Sequence, residues 1–378
     1  EWVDDIDDQD RQADWQRLFQ FGPDLRVFPG WDENLDFISD FNQNDNAFTP
    51  NYVPDYEEPF LRYNVDRPEF LFGMDMNSNG VIDRFEDDNE ADYPYKRGRR
   101  GYNAYAGVEV RPQFNVMAGY LDQRLLRTAR ENQSIYLLLT AKHEIPEQDF
   151  SAWFITHPRK VKDDIPDDVL LWTEQPGTRG VAVFTRDPLA AQDAFVNTSY
   201  LEVRYNRFLP FTAKVKHESY NQLGDEETGL RDQSFFGVMT KGEYPVDIEQ
   251  FTLLPRWKQL YSSRIPPRTT NLKTRELTEI LSLQFIRPFN RSISFIAGAE
   301  YEIFNNLRKK PDPLPSGFKL DSNTWILAGQ IANRSAYLGY DLTTNVGVRW
   351  IRRDIQASPA SSELLSFITV FAGLGTDR

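Results

Sequence analysis

From Gly101 onward, hydrophobic residues recur at every second position, the spacing of strands with one apolar and one polar face. The longest run is Ala336–Trp350. Ala336, Leu338, Tyr340, Leu342, Thr344, Val346, Val348 and Trp350 share one parity; Tyr337, Gly339, Asp341, Thr343, Asn345, Gly347 and Arg349 share the other. As a single strand it would be about 50 Å long at about 3.3 Å per residue. Strands of ordinary soluble domains hold about 5–6 residues.

Other segments repeat the pattern. Phe114, Val116, Ala118 and Tyr120 oppose Gln113, Asn115 and Gly119, and Leu201, Val203 and Tyr205 oppose Glu202, Arg204 and Asn206. Phe211, Ala213 and Val215 oppose Thr212, Lys214, Lys216 and Glu218. Ile293, Phe295, Ala297, Ala299, Tyr301 and Ile303 oppose Ser292, Ser294, Gly298, Glu300 and Glu302. Tight turns are expected at Arg111-Pro112, Arg207–Pro210, Arg287–Asn290 and Asn333-Arg334, with longer connections at 145–170, 221–248, 262–275, 305–322 and 353–362. Short turns at one end and long loops at the other describe an all-β, antiparallel up-and-down transmembrane β-barrel of roughly 12–14 strands. In that reading Glu202, Arg204, Lys214, Lys216 and Arg349 face the lumen, lining a pore or making the ion pairs of a plugged interior. The competing reading of the same alternation is a soluble sandwich or lipocalin-like barrel with its apolar face inward.

Residues 1–95 show little periodicity. Asp8–Phe19 fits a short helix with Trp15, Leu18 and Phe19 on one face, and Pro50 and Pro54 prevent helix beyond it. The expected division is therefore a loop-rich segment over 1–95 and a barrel over 96–378. Charge marks the same boundary: residues 1–92 hold 25 acidic and 6 basic residues, and the rest hold 32 and 37. Acidic density of this kind repels nucleic-acid phosphates and suits divalent cations. No apolar run reaches the roughly 18 residues of a membrane-spanning helix. The acidic opening has no signal-peptide core, as expected of a mature chain or an excerpt of a longer one. With no cysteine, disulfides and thiolate chemistry are excluded.

Asp75–Glu86 matches the twelve-residue EF-hand loop position by position. Asp75, Asn77, Asn79 and Asp83 fall at positions 1, 3, 5 and 9, Val81 offers a carbonyl at position 7, and Glu86 is the bidentate ligand at position 12. Gly80 permits the sharp turn and Ile82 is the apolar anchor. A hard cation takes six to eight oxygens, and alternate side chains of a tight loop supply them at one point. The expected cofactor is Ca²⁺, held as a structural clasp because helices are not expected on either side. A weaker copy lies upstream, with Asp32, Asn34, Asp36, Ile38 and Asp40 as ligands, Phe37 in place of the glycine and Gln43 at position 12. Without metal, either segment reads as a solvated loop of Asx turns.

Asp32–Asn44, Tyr56–Tyr63, Pro68-Glu69-Phe70 and Asp75–Asp88, ending in Ala91–Tyr95, resemble a poorly characterised group of outer-membrane surface proteins from Bacteroidota-related bacteria. In these, acidic calcium-type loops lead into a C-terminal β-barrel. The likeness covers residues 30–125. It implies an outer-membrane location in a Gram-negative-type cell and a calcium-clasped segment, and no substrate or catalytic residue.

Three functional readings follow. The first is an outer-membrane barrel acting as a passive pore, or as the membrane anchor of a surface assembly, with lipid and other envelope proteins as partners. The second is a secreted or surface calcium-binding β-domain that takes glycan or protein through Trp31, Tyr52, Tyr56 and Tyr63. The third is a barrel enzyme using lumen carboxylates. His143, His157 and His217 are far apart in sequence, and the chain has no Gly-x-Ser-x-Gly, Walker or His-Glu-x-x-His motif, which disfavours the third.

Overall fold

The computed structural model describes residues 61–64, 66, 68–70, 72, 98–166, 169–173, 181–185, 187, 189–224, 230–268, 271–337 and 340–374. One antiparallel 14-stranded sheet dominates. Its first half holds β1 (Arg99–Arg111), β2 (Phe114–Leu125), β3 (Glu131–Ile145), β4 (Phe150–Asp163), β7 (Ala194–Tyr205), β8 (Phe211–Gln222) and β9 (Gln233–Glu243). Its second half holds β10 (Val246–Ile248), β11 (Phe251–Ile265), β12 (Thr274–Pro288), β13 (Ile293–Asn306), β14 (Ser322–Tyr337), β15 (Tyr340–Ile355) and β16 (Ser361–Leu374). Neighbours in sequence are neighbours in the sheet, except that β4 pairs β7 and the short β10 pairs β11 beside the main path. A separate hairpin, β5 (Val169–Thr173) with β6 (Val181–Thr185), rises from the connection between β4 and β7. The only helical pieces among the described residues are the single turn α1 (Leu61–Asn64) and 3₁₀ turns at Pro68–Phe70 and Pro146–Gln148.

The connections fall alternately at two ends of the sheet. At one end they cover 112–113, 146–149, 206–210, 244–250, 289–292 and 338–339; at the other, 126–130, 164–193, 223–232, 266–273, 307–321 and 356–360. The longest connections, 164–193 and 307–321, share one end, but 126–130 and 356–360 there are no longer than 206–210 at the other, so the expected contrast holds only in part. Strand lengths are as expected, with β14 and β15 at 16 residues each.

Three expectations need correction. Ala336–Trp350 is not one strand: Tyr337 closes β14 and pairs directly with Tyr340, which opens β15. Paired residues flanking a two-residue connection face the same way, so the apolar parity changes from odd to even, and the alternation runs through the hairpin unmarked. Asn333-Arg334 is no turn but lies inside β14, and the supposed loops 145–170 and 221–248 contain all of β4 and all of β9 and β10. Finally, the sheet is not closed into a barrel: β1 and β16 are its two edges. Thirteen strands alternate in direction along the path, so the first and last run the same way. The antiparallel pairing that joins every other pair of neighbours is therefore not open to them.

The two faces of the sheet differ in chemistry. One is covered and buries polar groups, among them Lys214, Lys258, Thr278, Ser282, Glu300, Asn345 and Arg349, beside apolar ones such as Met239, Leu260, Ile280, Ile326 and Ile351. The other is bare and carries Ile135, Phe195, Leu201, Trp257, Leu327, Ile331 and Val346. β12 shows the switch in four consecutive residues: Ile280 and Ser282 are buried, while Leu281 and Leu283 are about half exposed, at 50% and 48%. Aromatic rings on the bare face sit at two heights. Phe251, Phe285 and Phe295 form a chain near the short-turn end, with centroids 5.1 and 6.2 Å apart. Towards the long-loop end, Tyr301 stacks on Trp325 at 4.2 Å, and Phe236 meets Tyr261 at 6.2 Å. Along β13, Phe295 and Tyr301 are separated by about 20 Å at 3.3 Å per residue.

Candidate functional site

The most concentrated chemistry lies where Leu61–Phe72 crosses the covered face. Period two puts Lys214 of β8, Lys241 of β9 and Lys258 of β11 on that face, and the register brings them together. Lys241 and Lys258 are directly opposed partners, while Lys214 is opposite Met239, two residues from Lys241. Like charges directly opposite destabilise a sheet. Asp66 supplies the counter-charge: its Oδ2 accepts from Lys214 Nζ at 2.7 Å, and its Oδ1 lies 3.2 Å from Lys258 Nζ and 3.4 Å from Lys241 Nζ. Asp66, Lys258 and Lys214 are all buried. Burial alone would raise the Asp66 carboxyl. The ammonium groups of Lys241, Lys214 and Lys258, with the hydrogen bond from Lys214, outweigh it and hold the group well below the usual carboxylate range.

The rest of the segment fixes this carboxylate in place. Lys258 Nζ also donates to the carbonyls of Arg62 and Tyr63, at 3.0 and 3.3 Å, so the turn of α1 is held by its backbone. Arg62 Nη1 reaches Glu302 of β13 at 2.5 Å. The Tyr63 ring lies beneath Arg256 and Lys241, at 5.1 and 5.9 Å. Beyond Asp66, Phe70 packs with Met239 and Leu260 and meets Phe235 edge-on at 6.0 Å. Gly237 makes room for this: a Cβ there would stand 2.9 Å from the Phe70 ring and 2.7 Å from that of Phe235. Phe72 then approaches Tyr200 of β7, whose hydroxyl donates to Glu202 at 2.6 Å. A segment of a dozen residues thus touches β7, β8, β9, β11 and β13.

The lumen-facing expectation can now be placed. Glu202, Lys214, Lys216 and Arg349 are buried on the covered face, while Arg204, paired with Glu202, is more open. Tyr63, expected among the exposed aromatics, is buried beneath Arg256, so it offers no surface to a glycan. His157 meets Tyr136 edge-on at 5.5 Å and His143 meets Phe150 at 6.5 Å, on different faces of the sheet. The calcium ligands Asp75, Asn77, Asn79, Val81, Asp83 and Glu86, and the second set Asp32, Asn34, Asp36, Ile38 and Asp40, lie outside the described residues, as do Trp31, Tyr52 and Tyr56. Among the described residues, no three carboxylates or imidazoles converge as a metal site, and no helix is long and apolar enough to cross a membrane. Sequence reasoning placed Lys214 on the correct face but missed Asp66, Lys241 and Lys258. Asp66 is 148 residues from Lys214, and no local signal links them.

No protein-family model and no curated protein matches the chain.

Proposed function

We propose that the chain is the membrane-embedded wall of an outer-membrane β-barrel protein that anchors a calcium-clasped acidic segment at the cell surface. The large apolar side chains left bare on one face, opposite a covered face that buries charged groups among its apolar ones, carry this reading. A soluble sheet buries its apolar face; here large apolar side chains stay bare along strands of 11–16 residues while lysines, glutamates and an asparagine are buried opposite. An apolar band bounded by aromatic rings is the outer surface of a transmembrane barrel, and a polar interior is its lumen. The interior contacts of Leu61–Phe72 favour an anchor over an open passive pore. The Asp75–Glu86 loop begins three residues after Phe72, so a calcium clasp there would be tied to the wall through the Asp66 network.

In hydrocarbon, strand edges cannot stay unpaired, so β1 and β16 need partners there. Because they run in the same direction, an all-antiparallel closure takes an odd number of added strands. The test is electrophoretic mobility of detergent-extracted protein with and without heating, alongside membrane fractionation. A heat-dependent shift and retention in outer-membrane fractions are expected. A freely soluble monomer without detergent would end the proposal.

A further inference from the structure

The three lysines that receive Asp66 come from the wall, whereas their partners come from one crossing segment. Asp66 and the carbonyls of Arg62 and Tyr63 all belong to Leu61–Phe72, which adds no strand to the sheet. The ammonium groups converge on two carboxylate oxygens at 2.7, 3.2 and 3.4 Å, the geometry of a bound oxyanion. Asp66 brings a single carboxylate to three ammonium groups, two of them on directly opposed residues, and Glu300 acts on Lys258 from β13. A phosphate brings more charge and a third acceptor oxygen to the same point. While the segment is seated, Lys214 and Lys258 are buried at 2% and 0% exposure, where their charge needs an anionic partner; once it withdraws, three ammonium groups lose their shared carboxylate and repel one another.

We propose that Lys214, Lys241 and Lys258 form an oxyanion site for a phosphate-class ligand, with Asp66 as its built-in occupant, and that the free anion takes the site when Leu61–Phe72 withdraws from the wall. The segment and the anion then compete for one cradle. If the wall lies in a membrane, displacement exposes a patch of three lysines to the lumen, positive charge of the kind by which pores favour anions and phosphates. That consequence rests on the membrane reading; the site does not.

The full chain in detergent is treated with trypsin, and cleavage after Arg62 is followed in inorganic phosphate and in sodium chloride of equal ionic strength. At phosphate ten times its dissociation constant, the displaced population, and with it the cleavage rate, rises about tenfold. Chloride leaves the rate unchanged, and Lys214→Gln removes the phosphate response. Equal rates in the two salts, or a phosphate response undiminished by Lys214→Gln, would overturn the proposal. A second arm uses Asp66→Ala, which loses on the order of 10 °C in Tm in chloride. Phosphate restores the loss, and adding Lys214→Gln abolishes the restoration; restoration by chloride, or none by phosphate, counts against the site. Should Asp66→Ala not fold, the unsubstituted chain still decides. Heat-dependent mobility is read on the same samples, so failure of the anion site and failure of the membrane reading remain separate results.

Discussion

The covered and bare faces of the sheet are built from the same strands, often from adjacent residues, yet obey opposite rules. On the covered face buried polar groups are retained, several of them paired: Lys214 with Asp66, Arg62 with Glu302, Tyr200 with Glu202. On the bare face Leu281, Leu283, Leu327 and Ile331 keep nearly half of their surface open. A soluble protein has little reason to hide lysines and leave leucines bare over a whole sheet. On the membrane reading proposed above, the bare face meets lipid and the covered face water.

Four substitutions sharpen the contrast, from the strongest effect to the weakest. Asp66→Ala leaves three lysines without their carboxylate and should cost about 3–5 kcal/mol by chemical denaturation. Its pH dependence has a definite sign. The folded carboxyl titrates below the unfolded value of about 4, so its stabilisation is complete above that pH and is lost as pH falls through the depressed folded value. The stability gap between the native chain and Asp66→Asn should accordingly narrow only in acid. Next, Leu281→Arg on the bare face should cost about 2–4 kcal/mol in a bilayer, read as loss of the heat-resistant folded band. On a watered surface it would cost under about 0.5 kcal/mol.

Third, Asp75→Ala with Glu86→Ala should remove the stabilisation that calcium gives, about 2.7 kcal/mol at a hundredfold excess over its dissociation constant, and should change nothing in chelator. Equal losses in both conditions would refute the ion. Smallest, Gly237→Ala drives a methyl group into the Phe70 and Phe235 rings and should cost about 1–3 kcal/mol. If it costs nothing, Phe70 does not pack as described.

The alternation made the faces legible in sequence wherever strands were long and unbroken. In β13, Phe295, Ala297, Ala299 and Tyr301 fall on one face and Glu300 and Glu302 on the other, as their parity indicates. β4 was hidden because Pro158 interrupts it, and Lys160 and Lys162 occupy the parity that neighbouring strands give to apolar residues. The β14–β15 hairpin was hidden because parity changes silently between Tyr337 and Tyr340. Closure was expected from strand length and the contrast of turns and loops, but direction decides it, and direction depends on every turn being counted. The Asp66 network was invisible for a different reason: its members are brought together by register across β8, β9 and β11, which no local pattern encodes.

The absence of native cysteine makes one measurement decisive. Single cysteines placed in turn from Ile280 to Gln284 on β12, labelled with a fluorophore in reconstituted vesicles, report contact with quencher-bearing lipid chains. Strong quenching at 281 and 283 and little at 280, 282 and 284 is the expected result. Uniform protection from lipid, or quenching on the opposite parity, would contradict a bare face that lies in the bilayer.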